Sequence, residues 1–134
     1  MKKIKIIKLN SFKDKSGKLV PISFDQNFPF KVKRIFYIKG KRNYVRGSHA
    51  HKKCLQLFIP IIGKIELMTI SKGIRKKIIL NANNNKSILV PSLVWCSIKF
   101  LSEYSVIMVI CNRDYEFGDY IEEYSKFKKL EKNK

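Results

Sequence analysis

Short runs of β-branched, aromatic and aliphatic residues recur along this chain at intervals of about ten positions, closed by Gly, Asn or Pro, which is the signature of an all-β sandwich or barrel. Ile4, Ile6 and Leu9 among lysines form a first strand suited to a sheet edge, where lysine discourages stray pairing. Asp14-Lys15-Ser16-Gly17 is a turn signal, and residues 19–24 return as a second strand. Residues 31–38 alternate as a third, and 39–43 make a loop. Beyond residue 53 the strand series is 54–62, 65–70, 74–80, 88–90, 95–100 and 106–111, with Gly63, Gly73 and the Asn-rich 81–86 as turns. Only the end changes period: apolar side chains at 120, 121, 124, 127 and 130 follow helical spacing and predict a short amphipathic helix. No repeat or linker divides residues 1–134, so one domain is expected.

Composition narrows the functional classes. Three widely spaced cysteines, Cys54, Cys96 and Cys111, make no CxxC pair and fit reduced thiols better than a disulfide framework. No apolar run is long enough for a membrane span, and the Lys-rich start lacks the apolar core of a signal peptide, so a cytoplasmic protein is expected. The formal net charge of +19 suits an anionic partner, but the lysines are scattered and no nucleic-acid-binding motif accompanies them. The partner could be nucleic acid, a membrane surface or a phosphorylated small molecule, and lysine scattered among abundant isoleucine and asparagine is also what an AT-rich genome produces by codon drift.

The chemistry concentrates in Arg46-Gly47-Ser48-His49-Ala50-His51-Lys52, which holds both histidines of the chain. Residues i and i+2 of a strand project from one face, so His49 and His51 should point together into whatever that face encloses. Such a pair serves as metal ligands or as proton carriers near neutral pH. A small β-barrel with His-x-His on an inner strand suggests the cupin architecture, a double-stranded β-helix of the jelly-roll type. The metal-binding pattern of cupins is incomplete here. Gln56 stands where an acidic ligand belongs, and Trp95 and Cys96 follow Pro91 where a third histidine belongs. A neutral amide and no third imidazole make a poor metal cage, so neither metal nor other cofactor is expected. Proton transfer next to a carbonyl remains. It needs an imidazole base and donors for the developing oxyanion, for which Arg46, Tyr37 and the second histidine are available.

The string Arg46-Gly47-x-His49-Ala50-His51-Lys52, with Leu55-Gln56-Leu57, Pro91-x-x-Val94-Trp95, Phe100-x-Ser102, Asp114-Tyr115 and Gly118-Asp119-Tyr120-Ile121, resembles the WxcM-like cupins, the dTDP-4-dehydro-6-deoxyglucose 3,4-ketoisomerases. The resemblance implies a metal-free isomerase that moves the keto group of dTDP-4-keto-6-deoxyglucose from carbon 4 to carbon 3, supplying an aminotransferase that makes a 3-amino-3,6-dideoxyhexose. It also implies His49 as the base at carbon 3 and His51 acting on the oxygens, although the sequence does not decide between the two histidines. Tyr37 and Arg46 would orient sugar and diphosphate, with Gln56 and Trp95 lining the sugar pocket. A homodimer exchanging its N-terminal strands, residues 3–9, follows from the same resemblance. Two other functions stay open: a 3,5-epimerase of the same sugars, and a non-catalytic sugar-nucleotide-binding cupin. The epimerase would back its base with a carboxylate, and no acidic residue stands beside the HAHK stretch in the sequence.

Overall fold

The structure, a computed structural model, describes residues 3–133. Twelve strands and one α-helix follow in the order β1 (Lys5–Lys8), β2 (Phe12–Asp14), β3 (Gly17–Leu19), β4 (Arg34–Lys41), β5 (Val45–His51), β6 (Gln56–Ile62), β7 (Lys64–Ser71), β8 (Ile74–Asn81), β9 (Lys86–Val90), β10 (Trp95–Phe100), β11 (Tyr104–Cys111), β12 (Tyr120–Ile121) and α1 (Tyr124–Lys132), with short 3-10 turns at Ala82–Asn84 and Phe117–Asp119. Two five-stranded antiparallel sheets, ordered β1-β9-β6-β11-β4 and β12-β5-β10-β7-β8, face each other as a jelly roll of the cupin type, and β2 and β3 form a separate hairpin. Alternation along each strand sends one set of apolar side chains between the sheets. Phe58, Ile65, Leu67, Ile88, Phe100, Ile107 and Val109 form that buried core.

Each sheet also has an outer face that must be covered. On the first, Leu57, Ile59 and Ile110 lie under Ile22, Phe28, Phe30 and Val32 of the irregular segment before β4. On the second, Ala50, Ile70, Trp95 and Ile121 pack with Phe127 of α1. The second sheet therefore uses Ala50 for its cover while the residues on either side of it, His49 and His51, face inward.

Three expected boundaries move. The strand expected over 19–24 stops at Leu19, because Pro21 has no N–H for a ladder and the chain is used as a cover instead. The strand expected over 31–38 is displaced to Arg34–Lys41, pairing residue for residue with β11, so the expected loop at 39–43 shrinks to a tight turn with Asn43 at φ 71°. The helix expected from residue 120 starts at Tyr124. Tyr120 and Ile121 form β12, paired with His51 and Ala50, so the apolar series serves two elements that share one cluster. β1 is an edge strand, lying antiparallel on β9 of its own chain.

Candidate active site

A β-bulge shapes the histidine strand. Gly47 (φ 93°) and Ser48 (φ 47°) take positive φ, and the register to β10 slips so that Cys96 faces His49 while Ser97 faces Gly47. A side chain at residue 47 would press on the Cys96 carbonyl, 3.3 Å from an added Cβ. The bulge sends His49 and His51 into a cavity of about 440 Å³ between the sheets. Their rings meet edge to face with centroids 5.0 Å apart.

The two imidazoles are supported differently. His49 is half-buried, and its Nδ1–H donates to the Gly47 carbonyl at 2.8 Å, a local bond that the bulge makes possible. His51 is buried, and its Nδ1 lies 2.9 Å from Asp119 Oδ2. Asp119 is itself held: Oδ1 accepts from the Lys53 N–H at 2.7 Å, Oδ2 from the Cys54 N–H at 3.3 Å, and its carbonyl accepts from the Lys52 N–H. With Nδ1 donating to the carboxylate, His51 presents Nε2 as an acceptor at the cavity. That atom is buried and has no partner among the described residues. Burial pulls the His51 pKa below its ordinary 6.5, opposed by the Asp119 bond and reinforced by His49. The resting form is thus a neutral, oriented imidazole with a carboxylate placed to stabilise it once protonated.

Asp119 corrects the expectation that no carboxylate stands beside the HAHK stretch. Sixty-eight residues separate it from His51, and β12 pairing beside β5 brings it there. The next residue, Tyr120, borders the cavity with its ring 4.5 Å from His51 and 5.1 Å from His49. Asp119 and Tyr120 stand in the late Asp-Tyr-Ile string, so a signal existed, but helical spacing assigned Tyr120 and Ile121 to a helix.

Other expected site residues divide. Gln56 is buried at the cavity wall, its amide N–H directed at Cys111 Sγ at 3.8 Å. Arg46 borders the cavity, and Lys39 of β4, which sequence reasoning missed, stands at its rim on the same face of the strand as Tyr37. Tyr37 is also at the border, but it is 66% exposed and its ring lies under the Lys39 ammonium at 5.9 Å. Phe36 and Ile38 on either side of it pack toward the core, which puts Tyr37 on the opposite face of β4, at the rim. Trp95 is a correction. Cys96 and Ile98 face the cavity, so alternation turns Trp95 outward, where it packs on Tyr124 and Phe127 of α1.

The residues suit a metal poorly. Of those in the cupin ligand positions, Gln56 is an amide and the Cys96 thiol is pushed up to about 12 by burial, so it stays protonated. His51, Cys54 and Asp119 offer ligand atoms within 4.8 Å of one another. Their closeness is that of a hydrogen-bonded cluster, since both Asp119 oxygens are already engaged and the Cys54 thiol is raised well above its ordinary range by its bond to Cys111 and by burial.

The fold and this dyad define a class: a small cupin barrel built for acid–base chemistry on a ligand held between its sheets. The chain belongs to the FdtA family, described as WxcM-like, C-terminal, whose model matches residues 2–132. It is 33% identical over 126 residues, 93% of this chain and 90% of the other, to the TDP-4-oxo-6-deoxy-α-D-glucose-3,4-oxoisomerase of Aneurinibacillus thermoaerophilus. A variant of the 3,4-ketoisomerase QdtA from Thermoanaerobacterium thermosaccharolyticum, solved with TDP-4-keto-6-deoxyglucose, superposes with a TM-score of 0.91 at 29% identity, over 98% of this chain and 95% of that one. The 3,5-epimerase RmlC of Legionella pneumophila shares the fold at 16% identity and a TM-score of 0.75, over 87% of this chain and 70% of that one. Among the described residues no helix is long and apolar enough to cross a membrane.

Proposed function

We propose that this chain is a 3,4-ketoisomerase acting on TDP-4-keto-6-deoxyglucose, moving the keto group to carbon 3 by metal-independent proton transfer through an enediol. The observation that carries the proposal is the His51–Asp119 dyad, with Nε2 of His51 turned into the cavity. His51 is the base at carbon 3. This departs from the assignment to His49 that the family resemblance implied, because the imidazole backed by a carboxylate gains most on protonation. His49 lies beside it and contacts the ring or its oxygens. Arg46 takes the diphosphate at the mouth with Lys39 and Tyr37 at the rim, Gln56 lines the wall, and the basic surface steers the nucleotide in. Residues 1–134 act as one cupin unit.

The same proposal extends to a homodimer exchanging β1. Ile6, Phe12 and Leu19, in and around the edge strand, are exposed at 58%, 64% and 64%, which suits a partner's surface. Light scattering from the purified protein tests it: a monomer at micromolar concentration rejects the exchange.

The decisive experiment is NMR of TDP-4-keto-6-deoxyglucose incubated with chelator-treated protein in deuterated water. A 3-keto product supports the isomerase, and its configuration at carbon 4 identifies the product. A His–Asp dyad with a nearby tyrosine also suits a 3,5-epimerase, for which exchange or inversion at carbon 5 without keto transfer is the signature. Tight TDP binding with no change in the sugar points to a binding module.

A further inference from the structure

Keto transfer between adjacent carbons moves two kinds of proton. One leaves carbon 3 and returns to carbon 4. The other must reach the oxygen on carbon 4 as its carbonyl opens and leave the oxygen on carbon 3 as the new carbonyl forms. The dyad accounts for the carbon-bound proton. It does not account for the other, because the single free nitrogen of His51 is occupied by the first.

We propose that Tyr120, with Arg34 behind it, is the catalytic acid and base for the two sugar oxygens, an inference that rests on the ketoisomerase reading above. Tyr120 borders the cavity beside both imidazoles, so a hydroxyl stands close to the base but separate from it. Arg34, at the start of β4, lies close enough to the Tyr120 phenol to favour its ionised form. Its guanidinium also sends Nη2 toward Cys111 Sγ at 3.7 Å and stacks near the Phe36 and Tyr115 rings, at 5.4 and 5.7 Å, which fixes its position. Its Nε is buried without a partner among the described residues. A fixed guanidinium beside a phenol stabilises the phenolate that forms in mid-reaction, while burial raises the Tyr120 pKa and keeps it protonated at rest.

The steps balance. His51 takes the proton from carbon 3, the C–H electrons form the carbon–carbon double bond of the enediol, and the carbonyl oxygen on carbon 4 takes the Tyr120 proton. The Tyr120 phenolate, facing Arg34, then removes the proton from the oxygen on carbon 3. That oxygen becomes the carbonyl, and the double-bond electrons take the proton back from His51 at carbon 4. Both residues end as they began. The two oxygens are on neighbouring carbons, so one hydroxyl serves both. Arg34 is a positioning residue in this scheme.

The test is Tyr120→Phe, followed by NMR in deuterated water with TDP-4-keto-6-deoxyglucose. Keto transfer should fall by about 10²-fold or more, TDP affinity should stay within a factor of three, and exchange at carbon 3 should fall less than transfer does. Tyr120 replaced by a difluorotyrosine, which keeps the shape and lowers the phenol pKa, should move the basic limb of the pH–rate profile toward acid. A Tyr120→Phe protein that transfers the keto group at near wild-type rate overturns the assignment, as does an unmoved basic limb in the fluorinated protein should the Phe variant not fold. Failure of the wild-type protein to isomerise the sugar at all would instead reject the ketoisomerase reading.

Discussion

At one end of the barrel Ile65, Leu67, Phe100 and Ile107 meet between the sheets, all fully buried and all apolar. At the other end the same two sheets carry His51, Gln56, Thr69 and Cys111, also buried, with Asp119 just before β12 and Arg34 at the start of β4. β10 shows the gradient in six residues, from Cys96 and Ile98 at the cavity to Phe100 in the core. The packed end tolerates no spare volume: at Gly40, opposite Phe100, a Cβ would overlap the ring. The polar end keeps a cavity and bonds its polar groups to one another. Buried polar atoms are costly without partners, so the unpartnered Nε2 of His51 and Nε of Arg34 stand out at this end. Core at one end thus provides the stability on which an under-packed, polar site at the other end can be held.

If the ends divide labour in this way, single substitutions should separate rate from stability. The largest effect on rate belongs to His51→Asn, which keeps size and a polar tip but cannot carry the proton. Conversion of TDP-4-keto-6-deoxyglucose should drop by about 10³-fold or more with the melting temperature and TDP binding little changed. A drop confined to His49→Asn would return the base to the other imidazole.

At the packed end, Phe100→Ala should cost about 3–5 kcal/mol of folding stability by denaturant unfolding, through lost transfer energy and a cavity. The fraction still folded at low temperature should turn over at near wild-type rate. Parallel loss of kcat in that folded fraction would show that the ends are not separable.

Asp119→Asn tests how the polar end is wired. Removing the charge while keeping an oxygen for the His51 Nδ1–H should lower kcat on the order of 10²-fold. The sign of the pH effect is fixed: the Asp119 bond raises the His51 pKa, so its loss lowers that pKa. The acid limb of the rate profile, where His51 is protonated and inactive, should therefore move to lower pH. A limb that stays in place would mean that the carboxylate does not act on the titrating group.

The two ends were not equally legible in the sequence. The packed end and the strand series announce themselves through residues that each respond to local rules: glycine turns at 63 and 73, and apolar strands at 65–70 and 95–100, observed at 64–71 and 95–100. The histidine pair was legible for the same reason, since alternation within one strand places both side chains. Asp119 and Arg34 were not, because their roles depend on pairings 68 and 77 residues long, His51 with Asp119 and Arg34 with Cys111. The short strand β12 is two residues with apolar spacing indistinguishable from the helix that follows, so only pairing with β5 reveals it. Trp95 shows a subtler failure. It lies next to cavity residues in sequence, and it is the parity of the strand that turns its side chain away, whereas Tyr37 stands at the cavity rim.

Trp95 gives the smallest predicted effect and the sharpest check on that parity. Its ring is edge-on to Tyr124 at 5.3 Å and tilted against Phe127 at 5.7 Å, so it fastens α1 to the outer face of the second sheet. The inward neighbours Cys96 and Ile98 occupy the cavity wall. Trp95→Phe keeps an aromatic ring in that contact, with less area. It should lower stability by about 1–2 kcal/mol and leave KM for the sugar nucleotide and kcat within about twofold. Steady-state kinetics beside a denaturation curve read both quantities on one protein. A severalfold rise in KM without loss of stability would put the indole in the cavity and reverse the register assigned to β10, and with it the inward placement of Cys96 opposite His49.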